Sequence, residues 1–124
     1  MISVRYIVDD APAGAAFYRD RLGFDIQAQP APGFAILTRD GMRLLLSEPS
    51  GPGGAAQAMP DGRRPEPGGW NRIQIEVEDV TAEADALKRA GVRFRNEVVR
   101  GRGGAQVLLE DPAGNPVELF ERAR

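Results

Sequence analysis

The chain contains no cysteine and no histidine. Without cysteine it cannot build a disulfide framework, a thiolate nucleophile, a zinc ribbon or an iron–sulfur site. Without histidine it also lacks the commonest general base and the commonest nitrogen ligand for a metal. Any metal site would therefore consist of carboxylate, amide, hydroxyl and backbone oxygens.

The chain also lacks an excess of charge of either sign. Its 124 residues include 16 Lys and Arg against 18 Asp and Glu, a formal net charge of −2, which gives no electrostatic reason to expect nucleic acid or anionic membrane as a partner. No apolar stretch is long enough to cross a bilayer, and MISVRYIVDD at the start does not resemble a signal peptide. We therefore expect a soluble cytoplasmic protein.

What the chain does contain is one pattern repeated. Residues 2–10 alternate between apolar and polar side chains as a strand does, and residues 71–79 do the same. A helix follows each strand: APAGAAFYRDRL begins after Asp10 and ends at Gly23, and TAEADALKRA begins after Asp79 or Thr81 and ends at Gly91. Three short strands follow each helix: 24–26, 33–40 and 42–48 in the first copy, and 92–94, 104–111 and 116–121 in the second.

An internal duplication is the simplest explanation of this pattern. The predicted fold class is α+β, with two tandem βαβββ modules that span residues 1–49 and 70–124 of a single domain. Residues 50–69, SGPGGAAQAMPDGRRPEPGG, are rich in Gly and Pro and predict neither helix nor strand. This segment is either a flexible linker or a lid over a site, where Gln57, Met59, Arg63 and Arg64 would make contacts.

The duplicated module, with FYRDRLGF at residues 17–24 and EDPAGNPVELFE at residues 110–121, resembles the vicinal oxygen chelate superfamily. That superfamily includes glyoxalase I, bleomycin-resistance proteins, fosfomycin-resistance enzymes and extradiol dioxygenases. The resemblance covers essentially the whole chain. It implies that the two modules pair their curved mixed sheets into a cup, often as a homodimer, but it does not identify a reaction.

The resemblance also locates the positions where metal enzymes of the superfamily bind their ion, on the first and fourth strands of each module. Ser3, Leu45, Arg72 and Glu118 occupy these positions here. Leucine cannot coordinate, an arginine places a fixed cation where a dication should lie, and a neutral serine is a poor ligand. We therefore expect no metal and no cofactor.

Strand alternation predicts the lining of the cup, because the apolar faces of the first strands should pack on the helices. The predicted ligand-binding residues are Arg5, Arg43, Ser47, Trp70, Arg72, Gln74, Glu76 and Phe120, with Glu118 as the candidate catalytic residue. Trp70 is either a residue of the rim or of a dimer interface, or an aromatic wall for a flat ligand.

Two interpretations of Arg72 and Glu118 remain open at the level of sequence. They form a structural ion pair in place of the lost metal, or Arg72 binds an anionic group of a ligand beside Glu118 as acceptor or base. A separate basic run, Arg93, Arg95, Arg100 and Arg102, is expected to be a solvated face or edge protection, and only secondarily an anion-binding patch.

These alternatives give several functions. The first is a metal-independent protein that binds a small molecule, for example to sequester a drug or natural product. The second is a metal-independent lyase, isomerase or hydrolase that uses Glu118 as base, with Arg72 or Arg5 stabilising oxyanion charge. A scaffold with a degenerate cup and a divalent-metal enzyme of the glyoxalase or dioxygenase type are the remaining alternatives.

Overall fold

The computed structural model describes residues 1–49, 51 and 53–124, which divide into two compact units, Met1–Gly68 and Gly69–Arg124. The first unit contains β1 (Ser3–Ile7), α1 (Ala11–Leu22), β2 (Asp25–Ala31), β3 (Phe34–Arg39) and β4 (Met42–Ser47). The second unit contains β5 (Ile73–Glu76), α2 (Val80–Arg89), β6 (Val99–Gly101), β7 (Gly104–Glu110) and β8 (Pro116–Arg122). The predicted order of one strand, one helix and three strands is therefore confirmed in both copies.

Each unit has one mixed four-stranded sheet, and the two sheets have the same topology. Their strand orders are β1-β4-β3-β2 and β5-β8-β7-β6, and the first strand of each unit runs parallel to the fourth. The register also repeats: Arg5 lies beside Leu45 in the first sheet, and Gln74 lies beside Glu118 in the second. The duplication therefore extends to single residues, and Leu45 is the structural equivalent of Glu118.

The core of the first unit lies between α1 and the apolar face of its sheet. Tyr18 is fully buried and makes edge-on ring contacts with Tyr6, Phe17 and Phe24, with centroids 5.3–6.4 Å apart. Phe17, on the same helix, is only half-buried. Gly14 brings the helix close to the sheet, because a β-carbon there would lie 3.0 Å from Cδ1 of Leu46.

The core of the second unit lies against one face of α2. Val80, Ala84 and Leu87 are buried, at the spacing of one helical stripe. They face a sheet whose buried side chains are Ala105, Val107, Leu109, Val117 and Leu119. Burial of this apolar surface is the main stabilising contribution in the unit, at about 25 cal/mol per Å² removed from water.

Both helices begin at the predicted aspartates. The carboxylate of Asp10 accepts a hydrogen bond from the backbone N–H of Ala13, and that of Asp79 accepts one from Ala82, both at 3.0 Å. Asp79, and not Thr81, is therefore the N-cap of α2. At the end of α1, Gly23 adopts the left-handed conformation (φ 72°) that closes a helix and that glycine adopts at little cost.

A second carboxylate reaches each helix start from the end of the fourth strand. Glu48 Oε2 accepts the N–H of Ala11 at 2.8 Å, and Glu121 Oε1 accepts the N–H of Val80 at 3.0 Å. An anion at a helix N-terminus is favourable because unpaired N–H groups and the helix dipole both point towards it. Each of these contacts ties the helix to the end of its own sheet.

The strand predicted at residues 92–94 is wrong. Phe94 makes only an isolated bridge to Leu109, and the strand that pairs with β7 is Val99–Gly101. The ladder is interrupted because the side-chain oxygen of Asn96 accepts the N–H of Leu108. In the first unit, the strand predicted at 24–26 instead begins at Asp25 and continues to Ala31, with two register irregularities against β3.

Between the fourth strand of the first unit and Gly69, residues 51 and 53–69 form turns and bends, with no helix or strand. The amide of Gln57 donates to the carbonyls of Gly51 and Gly53, and Met59 N–H donates to the carbonyl of Arg63. Ser50 and Pro52, also within the predicted linker or lid, lie outside the described residues. No helix in the described part of the chain is long and apolar enough to cross a membrane.

Candidate functional site

The polar face of the second unit is the side of its sheet opposite α2. On β8, Val117 and Leu119 point into the core, so the alternating residue Glu118 belongs to the other face. Gln74 lies next to Glu118 in register on β5, and Arg72 is located just before that strand. The structure thus brings together Arg72, Gln74 and Glu118, three of the residues that strand alternation placed on this face.

Arg72 forms an ion pair with Glu118. Its Nε and Nη2 atoms both donate to Oε1 of Glu118, at 3.1 and 2.9 Å. A third nitrogen, Nη1, donates to the carbonyl oxygen of Trp70 at 3.1 Å. The Glu118 side chain is only 9% exposed and that of Arg72 is 30% exposed, so the carboxylate of this pair is buried while the cation is partly in water.

The other oxygen of Glu118 is also occupied. The Nε2 amide of Gln74 donates to Oε2, so protein donors contact both carboxylate oxygens. This arrangement satisfies a buried charge, which would otherwise be costly. With two donors on Oε1 and one on Oε2, the Glu118 carboxylate keeps one lone pair, on Oε2, for a further partner.

Glu76 does not join this cluster. It pairs instead with Arg122 at the end of β8, with Oε1 2.9 Å from Nη2. The hydrogen bond to Glu76 and its negative charge raise the pKa of Arg122 above its ordinary value. Both side chains are more than half exposed, so this ion pair lies at the surface. Phe120, the remaining predicted residue on β8, is half-buried and lies beside Glu76 in register.

Trp70 lies against an arginine that we did not expect to be buried. The Arg95 guanidinium is 4.9 Å from the centre of the Trp70 ring, and its Nε lies 2.9 Å from Oε2 of Glu110. Arg95 also donates to the carbonyls of Gly69 and Gly114. With 18% of its side chain exposed, Arg95 contradicts the prediction of a wholly solvated basic run. Trp70 itself remains 71% exposed.

The first unit has a corresponding face with a different pattern of charge. Nη1 of Arg5 donates to the hydroxyl of Ser47 at 2.8 Å, and Nε of Arg43 donates to the hydroxyl of Ser3 at 3.0 Å. Among the residues that the structure describes, neither arginine has a carboxylate within ion-pairing distance. Serine hydroxyls are neutral, so no carboxylate in the described part of the chain compensates the charge of either arginine.

Apolar side chains lie on the Arg5 side of this face, whereas Arg43 lies between Ser3 and Thr38 in register. Leu45 lies between Arg5 and Ile36, and Ser47 lies between Ile7 and Phe34. These apolar side chains are half-buried on the side of the sheet away from α1. The Arg5 guanidinium lies 5.9 Å from the centre of the Phe34 ring, near the outer limit of a cation–π contact. This face thus carries two arginines and, on the Arg5 side, several half-buried apolar side chains.

Sequence reasoning missed the contacts that three side chains make: Glu48, Glu121 and Arg95. Glu48 and Glu121 follow the equivalent positions Leu45 and Glu118 by the same spacing, and each comes after a helix N-cap of its own copy. That shared spacing was the available signal. Arg95 carried no such signal, because its partners come from distant parts of the chain.

A divalent metal does not fit the residues at the family's ligand positions. In the first unit these positions hold a hydroxyl, Ser3, that already accepts from Arg43, and Leu45, which has no donor atom. In the second unit they hold Arg72 and the Glu118 carboxylate to which it is bonded. Within residues 1–49, 51 and 53–124, no three His, Cys, Asp or Glu side chains are grouped as ligands of one ion.

Comparison with known proteins agrees with this architecture. An ethylmalonyl-CoA/methylmalonyl-CoA epimerase of Cereibacter sphaeroides is 34% identical over 116 residues, which cover 88% of this chain and 85% of the epimerase. The crystal structure of a superfamily member from Sphaerobacter thermophilus DSM 20745 superposes with a TM-score of 0.74 at 28% identity, over 97% of this chain and 94% of the other.

A third relative shares the fold alone. It is the bleomycin-binding protein of bleomycin-producing Streptomyces verticillus, solved in complex with copper(II)-bleomycin, with a TM-score of 0.64, 24% identity, and coverage of 98% of this chain and 95% of that one. The family model described as the Glyoxalase/Bleomycin resistance protein/Dioxygenase superfamily matches residues 2–119. The chain therefore belongs to the Glyoxalase/Bleomycin resistance protein/Dioxygenase superfamily.

Proposed function

We propose that this protein binds a small molecule without a metal ion, in the manner of a protein that sequesters a drug or natural product. The observation that carries the proposal is the state of Glu118. The one carboxylate left at the family's ligand positions is neutralised by Arg72 and hydrogen-bonded by Gln74. This contact replaces the interaction that a metal ion or a substrate proton would require.

The remaining groups on the strand faces are suited to binding. Trp70 offers an exposed ring, and Phe34 and Phe120 offer half-buried ones. Arg5 and Arg43 provide hydrogen-bond donors next to apolar side chains, a combination typical of small-molecule sites. The Streptomyces verticillus protein indicates that the fold is compatible with binding a drug, but the proposal for this chain rests on its own residues.

A thermal-shift screen tests this proposal. Protein purified without chelator is first analysed for metals and then screened, with EDTA present, against natural-product antibiotics and aromatic acids, amides and amines. A ligand that binds the folded state raises the unfolding temperature, and at a concentration of 100 Kd it adds about 2.7 kcal/mol of stability. Stabilising ligands together with substoichiometric Mn, Ni, Zn and Fe support the proposal. A broad panel without any stabilising ligand contradicts it.

The similarity to an epimerase favours a second candidate, a metal-independent isomerase, with lyase and hydrolase chemistry as variants. Glu118 would be the general base, and Arg72 would stabilise the oxyanion that forms when the substrate loses a proton. This chemistry requires the substrate to reach the remaining lone pair of Oε2, or Gln74 or Arg72 to release the carboxylate when substrate binds.

The two candidates differ in the expected behaviour of E118Q. An isomerase should lose turnover in E118Q while substrate binding is largely retained. A binding protein in which Glu118 only neutralises Arg72 should show no turnover in either form. Equal loss of turnover and of binding would assign Glu118 a structural role.

The proposal includes a cytoplasmic homodimer. The resemblance to the superfamily suggests the dimer, and light scattering after size-exclusion chromatography measures it directly. A mass near twice 13.4 kDa is the expected result. A monomer that still binds ligand would show that the site does not need a second copy.

A further inference from the structure

We propose that the face of the first unit that carries Arg5 and Arg43 binds the carboxylate of an aromatic acid. This inference rests on the proposed binding function and narrows it to a ligand class and to one of the two sheets. The sequence grouped Arg5 and Arg43 with Arg72 as equivalent candidates. In the structure Arg72 contacts a carboxylate, whereas Arg5 and Arg43 contact serine hydroxyls.

Charge compensation is the first line of argument. In the second unit, Arg72, Arg95 and Arg122 each contact a carboxylate at 2.9 Å. In the first unit, among the described residues, Arg5 and Arg43 donate only to serine hydroxyls. Arg5 is exposed and Arg43 is half-buried, and two cations on one face of a sheet, neither of them compensated by a carboxylate, attract an anion.

The unused hydrogen-bonding capacity of the two side chains is the second line. A guanidinium has five N–H donors and no acceptor. In the described structure Arg5 uses one of them on Ser47 and Arg43 uses one on Ser3, so most donors remain available to a ligand. Planar guanidinium groups match the two oxygens of a carboxylate, often through two parallel hydrogen bonds.

The register of the sheet makes the two arginines diagonal neighbours on one face. Arg43 lies beside Ser3, and Arg5 is two residues further along the same strand, β1. Their guanidiniums turn towards opposite ends of the face, because Arg43 Nε lies 3.0 Å from the Ser3 hydroxyl and Arg5 Nη1 lies 2.8 Å from the Ser47 hydroxyl. A carboxylate that contacts both side chains must therefore draw one guanidinium away from its serine, and the exposed side chain of Arg5 has room to turn.

The apolar neighbours indicate what the carboxylate is attached to. On the Arg5 side of this face, the half-buried side chains of Ile7, Phe34 and Ile36 border Leu45 and Ser47. A flat apolar body would cover these groups and leave its acidic end at the arginines. Inorganic phosphate satisfies the charge but covers no apolar surface, so we expect it to bind far more weakly than an aromatic acid.

Calorimetric titration with matched probes tests the inference. The set contains benzoate, 2-naphthoate and larger aromatic natural-product acids, the corresponding neutral amides and amines, and inorganic phosphate. We expect at least one acid to bind at least tenfold more tightly than its amide, and its affinity to fall as NaCl is raised from 50 to 500 mM. The affinity of the amide should not depend on salt.

Variants then locate the site. R5Q and R43Q should each weaken binding of the acid by about tenfold or more and leave the amide unchanged, because each removes charge-assisted hydrogen bonds. R102Q is the matched control, since Arg102 is an exposed arginine of the second unit, and it should bind the acid normally. If R5Q or R43Q fails to fold, the salt dependence and the ratio of acid to amide in the unmodified protein still decide the question.

The outcomes separate this inference from the proposed function. Amides or amines that bind as tightly as acids, or acid binding unchanged in both R5Q and R43Q, would overturn the carboxylate site and leave small-molecule binding intact. Binding of phosphate as tight as that of any acid would overturn the aromatic part of the inference. The absence of binding across these probes and the broader antibiotic panel would overturn both.

Discussion

Replacing Arg72 with methionine removes the cation that contacts Glu118 and keeps a side chain of similar length. In R72M the Glu118 carboxylate would retain only the hydrogen bond from Gln74. Its side chain is 9% exposed, so water can compensate little of the lost contact. We therefore expect R72M to be clearly less stable than the unmodified protein.

The magnitude follows from the burial of the two partners. Removing one member of a fully buried ion pair costs about 3–5 kcal/mol, whereas an exposed pair contributes about 0–1 kcal/mol. Glu118 resembles the first case, but Arg72 is 30% exposed, so we expect a loss of about 2–3 kcal/mol. For a chain of this size, about 3–6 °C is lost per kcal/mol, which gives a decrease in Tm of about 6–18 °C.

Urea unfolding of R72M, E118Q and R72M/E118Q, followed by circular dichroism, measures the coupling between the two residues. E118Q in the R72M background should recover much of the loss, because the neutral amide is cheaper to bury without a partner. R122M is a matched control on the same sheet, since its pair with Glu76 is largely exposed and should contribute much less.

Two results would refute this reasoning. One is a loss of stability in R72M no larger than that in R122M, and the other is a coupling energy near zero in the double-mutant cycle. Either result would mean that Arg72 does not stabilise buried Glu118, and Arg72 would then be free to contact a ligand. Of the two interpretations that the sequence left open, the structural ion pair would then be ruled out.

Two further predictions concern contacts that sequence reasoning missed. E48A and E121A should each cost about 1 kcal/mol in urea unfolding, because each removes the side-chain acceptor from a helix N-terminus; no loss in either variant would contradict the repeated capping contact. R95M should cost about 1–2 kcal/mol, because Glu110 loses its ion-pair partner, and it should change the fluorescence of Trp70, the only tryptophan. Unchanged fluorescence would contradict the ring contact.

Local sequence patterns predicted the helices and the faces of the strands. Alternation with period two placed Glu118 on the face of β8 opposite to Val117 and Leu119. An aspartate followed by a helical pattern located both helix starts. Comparison of the two copies matched Leu45 with Glu118, and the strand register agrees with that match. These features depend on residues close in sequence or on the repeat, so one sequence was sufficient.

Features that depend on distant parts of the chain were not predicted. Residues 92–94 have the apolar character of a strand, but a side-chain acceptor from Asn96 takes the place of a strand partner. Arg95 contacts groups at residues 69, 70, 110 and 114, and no local pattern links these positions. Long arginine side chains can reach several partners, so the choice among them is made by tertiary packing.

The same reasoning applies to the candidate site. The sequence identified Arg5, Arg43 and Arg72 as cations on strand faces, but it could not distinguish an arginine paired with a carboxylate from one that contacts only a hydroxyl. Atomic positions provide that distinction: Arg72 meets Glu118, whereas Arg5 meets Ser47. Because of this difference, we expect an anionic ligand to contact the arginines of the first unit and not Arg72.

The most direct test of the central claim is the thermal unfolding of one protein sample with a stabilising ligand, measured in EDTA and again after addition of Mn²⁺, Ni²⁺, Zn²⁺ or Fe²⁺. We predict that the ligand raises Tm by the same amount in EDTA as in the presence of each metal, because Glu118 is already paired with Arg72. Stabilisation by ligand that appears only after a metal is added would contradict the account.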